Sequence, residues 1–115
     1  MKAEFVELPP FARHRHRYLD DGEFRALQNK LMEDPCAGDL IVGSGGLRKL
    51  RFREERRSKG NRGGLRVIYY WWVGGNQFWL FTLYSKDEIA DLTADERKAL
   101  EGLLLGEVKV RGSSK

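Results

Sequence analysis

The pattern of apolar and polar positions predicts four β-strands. Residues 2–8 alternate in polarity, and three longer strand-like runs follow at 47–52, 65–73 and 77–84. Strict alternation places successive side chains on opposite faces of a sheet, which is the signature of a strand. The 65–73 run is apolar on both faces, and this is typical of a central strand that is covered on each side.

Apolar residues recur at helical spacing in three further segments. The first covers residues 11–18, between the first strand and the second helix. Asp20 and Thr93 each stand before such a segment and have a glutamate three residues later, which is the pattern of a capping box. Pro35 ends the second helix and Gly106 ends the third, because neither residue favours continuation of a helix.

Together these elements predict one α+β domain over residues 1–115. The link 74–76 reads Gly-Gly-Asn, so the last two strands form an antiparallel hairpin. We expect a small, twisted, mainly antiparallel sheet with the helices packed on one face. A chain of 115 residues is long enough for one core but not for two. Residues 110–115 are predicted to be a loose tail.

Composition predicts a folded cytoplasmic protein. The chain is 41% hydrophobic and contains three Trp, four Tyr and six Phe, which favours a packed core over disorder. No apolar run is long enough to cross a bilayer, and the N-terminus lacks the apolar core of a signal peptide. Cys36 is the single cysteine, so no internal disulfide can form and a reducing compartment is the default.

Positive charge is concentrated between Leu47 and Arg66. This segment holds nine basic residues against two acidic ones, an excess of seven that exceeds the net charge of +4 for the whole chain. Clustered positive charge indicates a polyanionic partner, and nucleic acid is the commonest one. Six basic residues are predicted to bind RNA or the ribosome. One precedes an exposed loop at 53–64 and five lie within it: Arg48, Arg53, Arg56, Arg57, Lys59 and Arg62.

Five residues of the strands are candidate catalytic groups. Lys49 and Arg51 share a sheet face by the i, i+2 rule, as do Tyr84 and Lys86, and Arg66 begins the strand between them. On an open face these side chains would converge on one phosphate and stabilise the charge that develops on phosphorus. Tyr84 or Lys86 would transfer a proton if neighbouring cations lower its pKa. The alternative is a solvated basic face that binds nucleic acid without catalysis.

The sequence predicts neither a metal nor a cofactor. His14 and His16 are two residues apart and therefore point in different directions on a helix, and no cysteine lies near them. The glycine-rich turn at 43–46 leads into a strand rather than a helix and lacks the Lys-Ser/Thr ending of a phosphate loop.

Three stretches occur in a specific order and spacing: GSGGLRKLRF at 43–52, SKGNRGGLRVIYYW at 58–71 and LFTLYSKDEIADLTADERK at 80–98. Together they resemble the RelE superfamily of bacterial toxins, most closely its HigB-type branch, over nearly the whole chain. The resemblance implies a β-α-α-β-β-β-α fold of the microbial ribonuclease kind. It also implies a type II toxin that cuts mRNA in the ribosomal A site. In that reaction the ribose 2′-hydroxyl attacks the adjacent phosphate without a metal.

The resemblance maps the family's basic positions onto Lys49, Arg51, Arg66 and Lys86. Some family members have an arginine after that lysine, where this chain has Asp87. Others use a tyrosine beyond it, whereas Tyr84 here is displaced in register. A histidine used by some HigB toxins has no counterpart in the second strand. The general base and the general acid are therefore left open.

The resemblance also implies partners. These are a cognate HigA-like antitoxin with a helix-turn-helix domain, the 70S ribosome with its mRNA, and promoter DNA reached only through the antitoxin. Two rival readings remain open. One is a ParE-like toxin that inhibits DNA gyrase, although those proteins generally lack the assembled cations. The other is a protein that binds RNA or ribosomes without catalysis.

Overall fold

A computed structural model describes residues 2–52, 64–86, 88–89 and 91–112 of the chain. The elements, in chain order, are β1 (Glu4–Glu7), α1 (Pro9–Tyr18), α2 (Asp21–Glu33), β2 (Asp39–Leu40), β3 (Arg48–Phe52), β4 (Leu65–Trp72), β5 (Gln77–Ser85) and α3 (Ala94–Glu107). A π-helical turn, Val108–Gly112, follows α3. Of the helices in these ranges, none is both long and apolar enough to span a bilayer.

The five strands form one sheet in the order β1-β5-β4-β3-β2. β1 runs parallel to β5, and the other three pairings are antiparallel. Between β4 and β5 the chain turns at Val73–Gly75 and Asn76, whose φ of 56° lies in the left-handed region that asparagine tolerates. The predicted α+β class with a mainly antiparallel sheet is confirmed, with the two-residue strand β2 as an addition.

Both predicted capping boxes are present. The Asp20 carboxylate accepts a hydrogen bond of 2.7 Å from the backbone N–H of Glu23, whose own carboxylate accepts from the N–H of Asp20 at 2.8 Å. The Thr93 hydroxyl accepts from the N–H of Glu96 at 3.1 Å, and the Glu96 carboxylate accepts in return at 2.8 Å. These side chains satisfy donors that a helix start leaves unpaired, so the starts of α2 and α3 are set locally.

Helices cover both faces of the sheet. On the first face, α1 and α2 contribute the fully buried side chains Phe11, Leu27 and Leu31, and Leu19, which follows α1, is buried with them. On the second face, α3 contributes Leu100 and Leu104, which pack against Ile68, Trp79 and Phe81. This differs from the prediction that all helices lie on one face. The reason is that β4 has apolar side chains on both faces of the sheet, and a helix must pack on each face to bury them.

A β-bulge in β5 changes which side chains share a face. Ile68 lies opposite Thr82, but the next residue of β4, Tyr69, lies opposite Leu80, so Phe81 is an extra residue in β5. Beyond a bulge the alternation of the strand is inverted. Leu80 therefore packs on the first face and Tyr84 packs on the second, whereas strict alternation along the strand would place both on one face.

The described end of the predicted tail is helical. The Nε of Arg111 donates a hydrogen bond of 2.7 Å to the Glu107 carboxylate. The guanidinium carbon of Arg111 lies 5.8 Å from the centroid of the Trp79 ring. An i, i+4 ion pair and a cation–π contact both favour continuation of the helix through residue 112. Of the tail predicted at 110–115, residues 113–115 lie outside the described residues.

Candidate functional site

Four of the five predicted catalytic residues line one cavity of about 380 Å³. Lys49 lies opposite Ile68 in the β3–β4 register, and Arg51 lies opposite Arg66. Directly opposed residues of neighbouring strands share a face, so all three basic side chains lie on the second face. Lys86 follows β5 and completes the group, which we call the cation cavity: Lys49, Arg51, Arg66 and Lys86.

Arg51 and Arg66 form a directly opposed pair of like charges. The Arg66 side chain is nearly buried, with 7% of the residue exposed, whereas Arg51 is exposed. Like charges directly opposed across two strands destabilise a sheet. An anionic group placed at these two guanidinium groups would relieve that repulsion, and phosphate matches the fork geometry of arginine. The pair is thus suited to phosphate binding.

Tyr84 lies opposite Arg66 but does not line the cation cavity. It lines a neighbouring cavity of about 470 Å³ between α1, β5 and α3, and only 4% of the residue is exposed. Its hydroxyl has no hydrogen-bond partner among the residues that the structure describes. Burial, followed by the charge of Asp91, raises the Tyr84 pKa, while Arg66 acts in the opposite direction. The phenol therefore stays protonated at neutral pH, where it can donate a proton but cannot act as a base.

Arg48 lies on the opposite side of the sheet from the cation cavity. It faces Tyr69 in the register, and its guanidinium donates a hydrogen bond of 2.8 Å to the carbonyl of Gly38. The structure thus gives Arg48 a structural contact on the first face. The other five residues predicted to bind RNA or the ribosome lie outside the described residues: Arg53, Arg56, Arg57, Lys59 and Arg62.

The sequence analysis did not identify three charged residues that also line the cavity, namely Asp39, Asp91 and Arg97. Arg97 precedes the buried Leu100 by three residues, so helical spacing was the signal that places it on the sheet side of α3. Asp39 belongs to β2, which is too short for its pattern to be recognised.

Asp91 brings a carboxylate among the cations. Its Oδ1 lies 3.4 Å from the Nζ of Lys49 and accepts a hydrogen bond of 2.8 Å from the backbone N–H of Leu92. The Leu92 hydrogen bond is the largest cause of the lowered Asp91 pKa, and the charges of Lys49 and Arg97 add to it. The carboxylate is therefore ionised at neutral pH.

Comparison with known proteins supports the fold. No protein-family model matches the chain. A solved structure that resembles it is that of the Escherichia coli toxin RelE, a double arginine-to-alanine variant in the free state. The match has a TM-score of 0.52 and 14% sequence identity, and it covers 78% of this chain and 90% of that one. The chain has a RelE-like fold. At this identity the likeness concerns architecture alone.

Within the RelE-like fold, the cation cavity is formed by β2, β3, β4, the residue that follows β5 and the start of α3. The two histidines that were considered as metal ligands lie outside the cation cavity. His14 lines the neighbouring cavity, and His16 is exposed on α1. Among the described residues, no three side chains of His, Cys, Asp or Glu gather as a group that would hold a metal ion. The chemistry that the cavity itself offers is anion binding and charge stabilisation.

Proposed function

We propose that this chain is the toxin of a type II toxin–antitoxin system, of the HigB-type branch, and that it cuts translated mRNA in the ribosomal A site. The observation that carries the proposal is the convergence of Lys49, Arg51, Arg66 and Lys86 on one cavity. The RelE-like fold supports it, since the similar solved structure is that of a toxin. The sequence resemblance supplies the reaction.

In the proposed reaction the ribose 2′-oxygen forms a bond to the adjacent phosphorus while the bond from phosphorus to the 5′-oxygen breaks. The products are a 2′,3′-cyclic phosphate and a 5′-hydroxyl, and no cofactor takes part. Negative charge increases on the phosphoryl oxygens in the transition state, where Lys49, Arg51 and Arg66 would stabilise it. The ribosome would hold the message for in-line attack, which lowers the entropic barrier.

The proton balance requires one donor and one acceptor. The attacking 2′-hydroxyl releases its proton to solvent and the leaving 5′-oxygen gains one from a donor that solvent reprotonates, so no net proton is consumed. Lys86 lines the cavity, and its ammonium is suited to protonate the leaving oxygen. Tyr84 is protonated at neutral pH because burial raises its pKa, but it lines the neighbouring cavity and not the cation cavity, so Lys86 is the better placed donor.

The proposed partners follow from this role. A HigA-like antitoxin with a helix-turn-helix domain would neutralise the toxin in the cytoplasm, and promoter DNA would be bound only through the antitoxin. The substrate would be mRNA on the 70S ribosome. Because the cavity binds phosphate through charge, association with RNA should weaken as salt rises.

The proposal is tested by primer extension on messages that are being translated. The variants Lys49→Ala and Arg51→Ala each remove one charge from the cavity, and we expect a loss of cleavage of about 100-fold. Lys98→Ala is the matched control, because Lys98 is an exposed lysine of α3 that does not line the cavity. It should cleave like the wild type.

Three other outcomes would contradict the proposal. Intact message together with tight, salt-sensitive ribosome binding would indicate a binder without catalysis. Intact message together with inhibited supercoiling by DNA gyrase would indicate a ParE-like toxin. Equal loss of cleavage in Lys98→Ala and Lys49→Ala would show that net charge, rather than the cavity, matters.

A further inference from the structure

The cation cavity contains its own anions. Asp39 lies opposite Lys49 in the β2–β3 register, and the Asp91 carboxylate reaches the same lysine at 3.4 Å from across the cavity. Both aspartates line the cavity together with the four cations and Arg97. Lys49 is therefore the cation at which a phosphate and an internal carboxylate would meet.

The position of Asp91 is built by the fold around it. Leu92, whose N–H binds the carboxylate, packs against the second-face core, and the Thr93 capping box begins α3 at the next residue. These contacts hold the carboxylate beside Lys49. At the same time 65% of the Asp91 side chain is exposed, so the ion pair is open to solvent and to an approaching ligand.

A carboxylate and a phosphate bind an ammonium group through the same kind of interaction. Each accepts charge-assisted hydrogen bonds, and a partly exposed pair with a carboxylate is weak enough to be exchanged. With Asp91 in place, part of the positive charge of the cavity is neutralised before any RNA arrives. A phosphate that binds Lys49 must therefore displace the Asp91 carboxylate.

We propose that Asp91 is an internal competitor for the phosphate site, and that it lowers the affinity of the cavity for RNA that is not held by a larger partner. This inference rests on the proposed function, because it takes the ligand of the cavity to be an RNA phosphate. A message held on the ribosome is presented at high effective concentration and can displace the carboxylate. Free RNA cannot do so as readily. Asp91 is in this sense a residue that determines specificity.

The test is binding of a fluorescent 2′-O-methyl RNA hexanucleotide, which cannot be cleaved, measured by anisotropy at low salt. Asp91→Asn retains the acceptor for the Leu92 N–H and removes only the charge. We expect it to bind about fivefold more tightly than the wild type, the effect of releasing one partly exposed ion pair. The control Asp95→Asn makes the same change in the first turn of α3, outside the cavity lining, and should differ little from the wild type.

A second pair of variants shows whether the competition is for Lys49. In a Lys49→Gln background, the gain from Asp91→Asn should disappear, because the lysine for which the two anions compete is absent. Equal gains for Asp91→Asn and Asp95→Asn would overturn the proposal, as would no gain or no detectable binding by Asp91→Asn. These readouts do not depend on cleavage, so failure of the wild type to cut mRNA would count against the proposed function alone.

Discussion

The two faces of the sheet differ in how completely the helices cover them. On the first face, α1 and α2 seal a core whose largest side chains have no exposure, among them Phe11, Leu27 and Leu31. On the second face, α3 buries only Leu100 and Leu104, and the part of the sheet beside its N-terminus is left as the cation cavity. Both faces contribute to the core, since Trp79 and Phe81 on the second face are also fully buried, but only the second leaves part of the sheet uncovered as a site.

Strand β3 shows the difference most directly. Its apolar residues Leu50 and Phe52 point to the first face and are buried in the core there. Its basic residues Lys49 and Arg51 point to the second face and line the cavity. One strand thus contributes packing in one direction and charge in the other, because alternate side chains leave a strand on opposite faces.

The largest contrast is expected in stability. Phe11→Ala should lower the free energy of unfolding by about 3 to 5 kcal/mol, since it creates a cavity in the fully sealed first face. Arg51→Ala should change it by less than about 0.5 kcal/mol, because Arg51 is exposed and faces a like charge on Arg66. Urea unfolding with linear extrapolation measures both. A large loss in Arg51→Ala would show that the cavity arginines are structural.

The two capping boxes allow the same motif to be compared on the two faces. Asp20→Ala and Thr93→Ala should each lower the free energy of unfolding by about 1 kcal/mol. The effect should be larger at Asp20, because its hydrogen bonds are partly buried and those of Thr93 are exposed. Only Thr93→Ala should also reduce cleavage, since that cap positions Arg97 at the cavity. Urea unfolding and primer extension are the measurements, and equal loss of cleavage in both variants would contradict this division.

The smallest effect is expected at Tyr84. Its hydroxyl has no partner among the described residues, so Tyr84→Phe should change stability little at neutral pH. Its folded pKa is raised above the unfolded value of about 10, so its contribution is present below pH 10 and is lost as pH rises through the folded pKa. The wild type should therefore lose more stability than Tyr84→Phe as the pH rises above about 10. Parallel curves in urea unfolding would show that the phenol titrates normally.

Much of the fold was predictable because the signals for it are local. The capping boxes at Asp20 and Thr93 each lie within four residues and formed as predicted. The hairpin of β4 and β5 followed from a three-residue link. The convergence of Lys49 and Arg51 with Arg66 was also predictable, because an antiparallel register between alternating strands brings side chains of one parity to one face.

Other features depend on contacts between distant parts of the chain. The bulge at Phe81 inverts the alternation of β5, and a bulge leaves no clear mark in the polarity pattern. Strand β2 is only two residues long and exists through its pairing with β3. Asp91 reaches Lys49 from 42 positions away in the chain, a proximity that only the packing of α3 against the sheet creates.

Residues a few positions apart determine the longer helices and strands, their caps and the sheet face of the basic residues on β3, and these features were therefore predictable from the sequence. Packing between distant elements decided that α3 covers the second face in part, that Tyr84 lines the neighbouring cavity rather than the cation cavity, and that Asp91 lines the cation cavity. The physical reason is that side-chain direction is a local property of the backbone. Which surface is covered, and which charges meet, depends on how whole elements pack together.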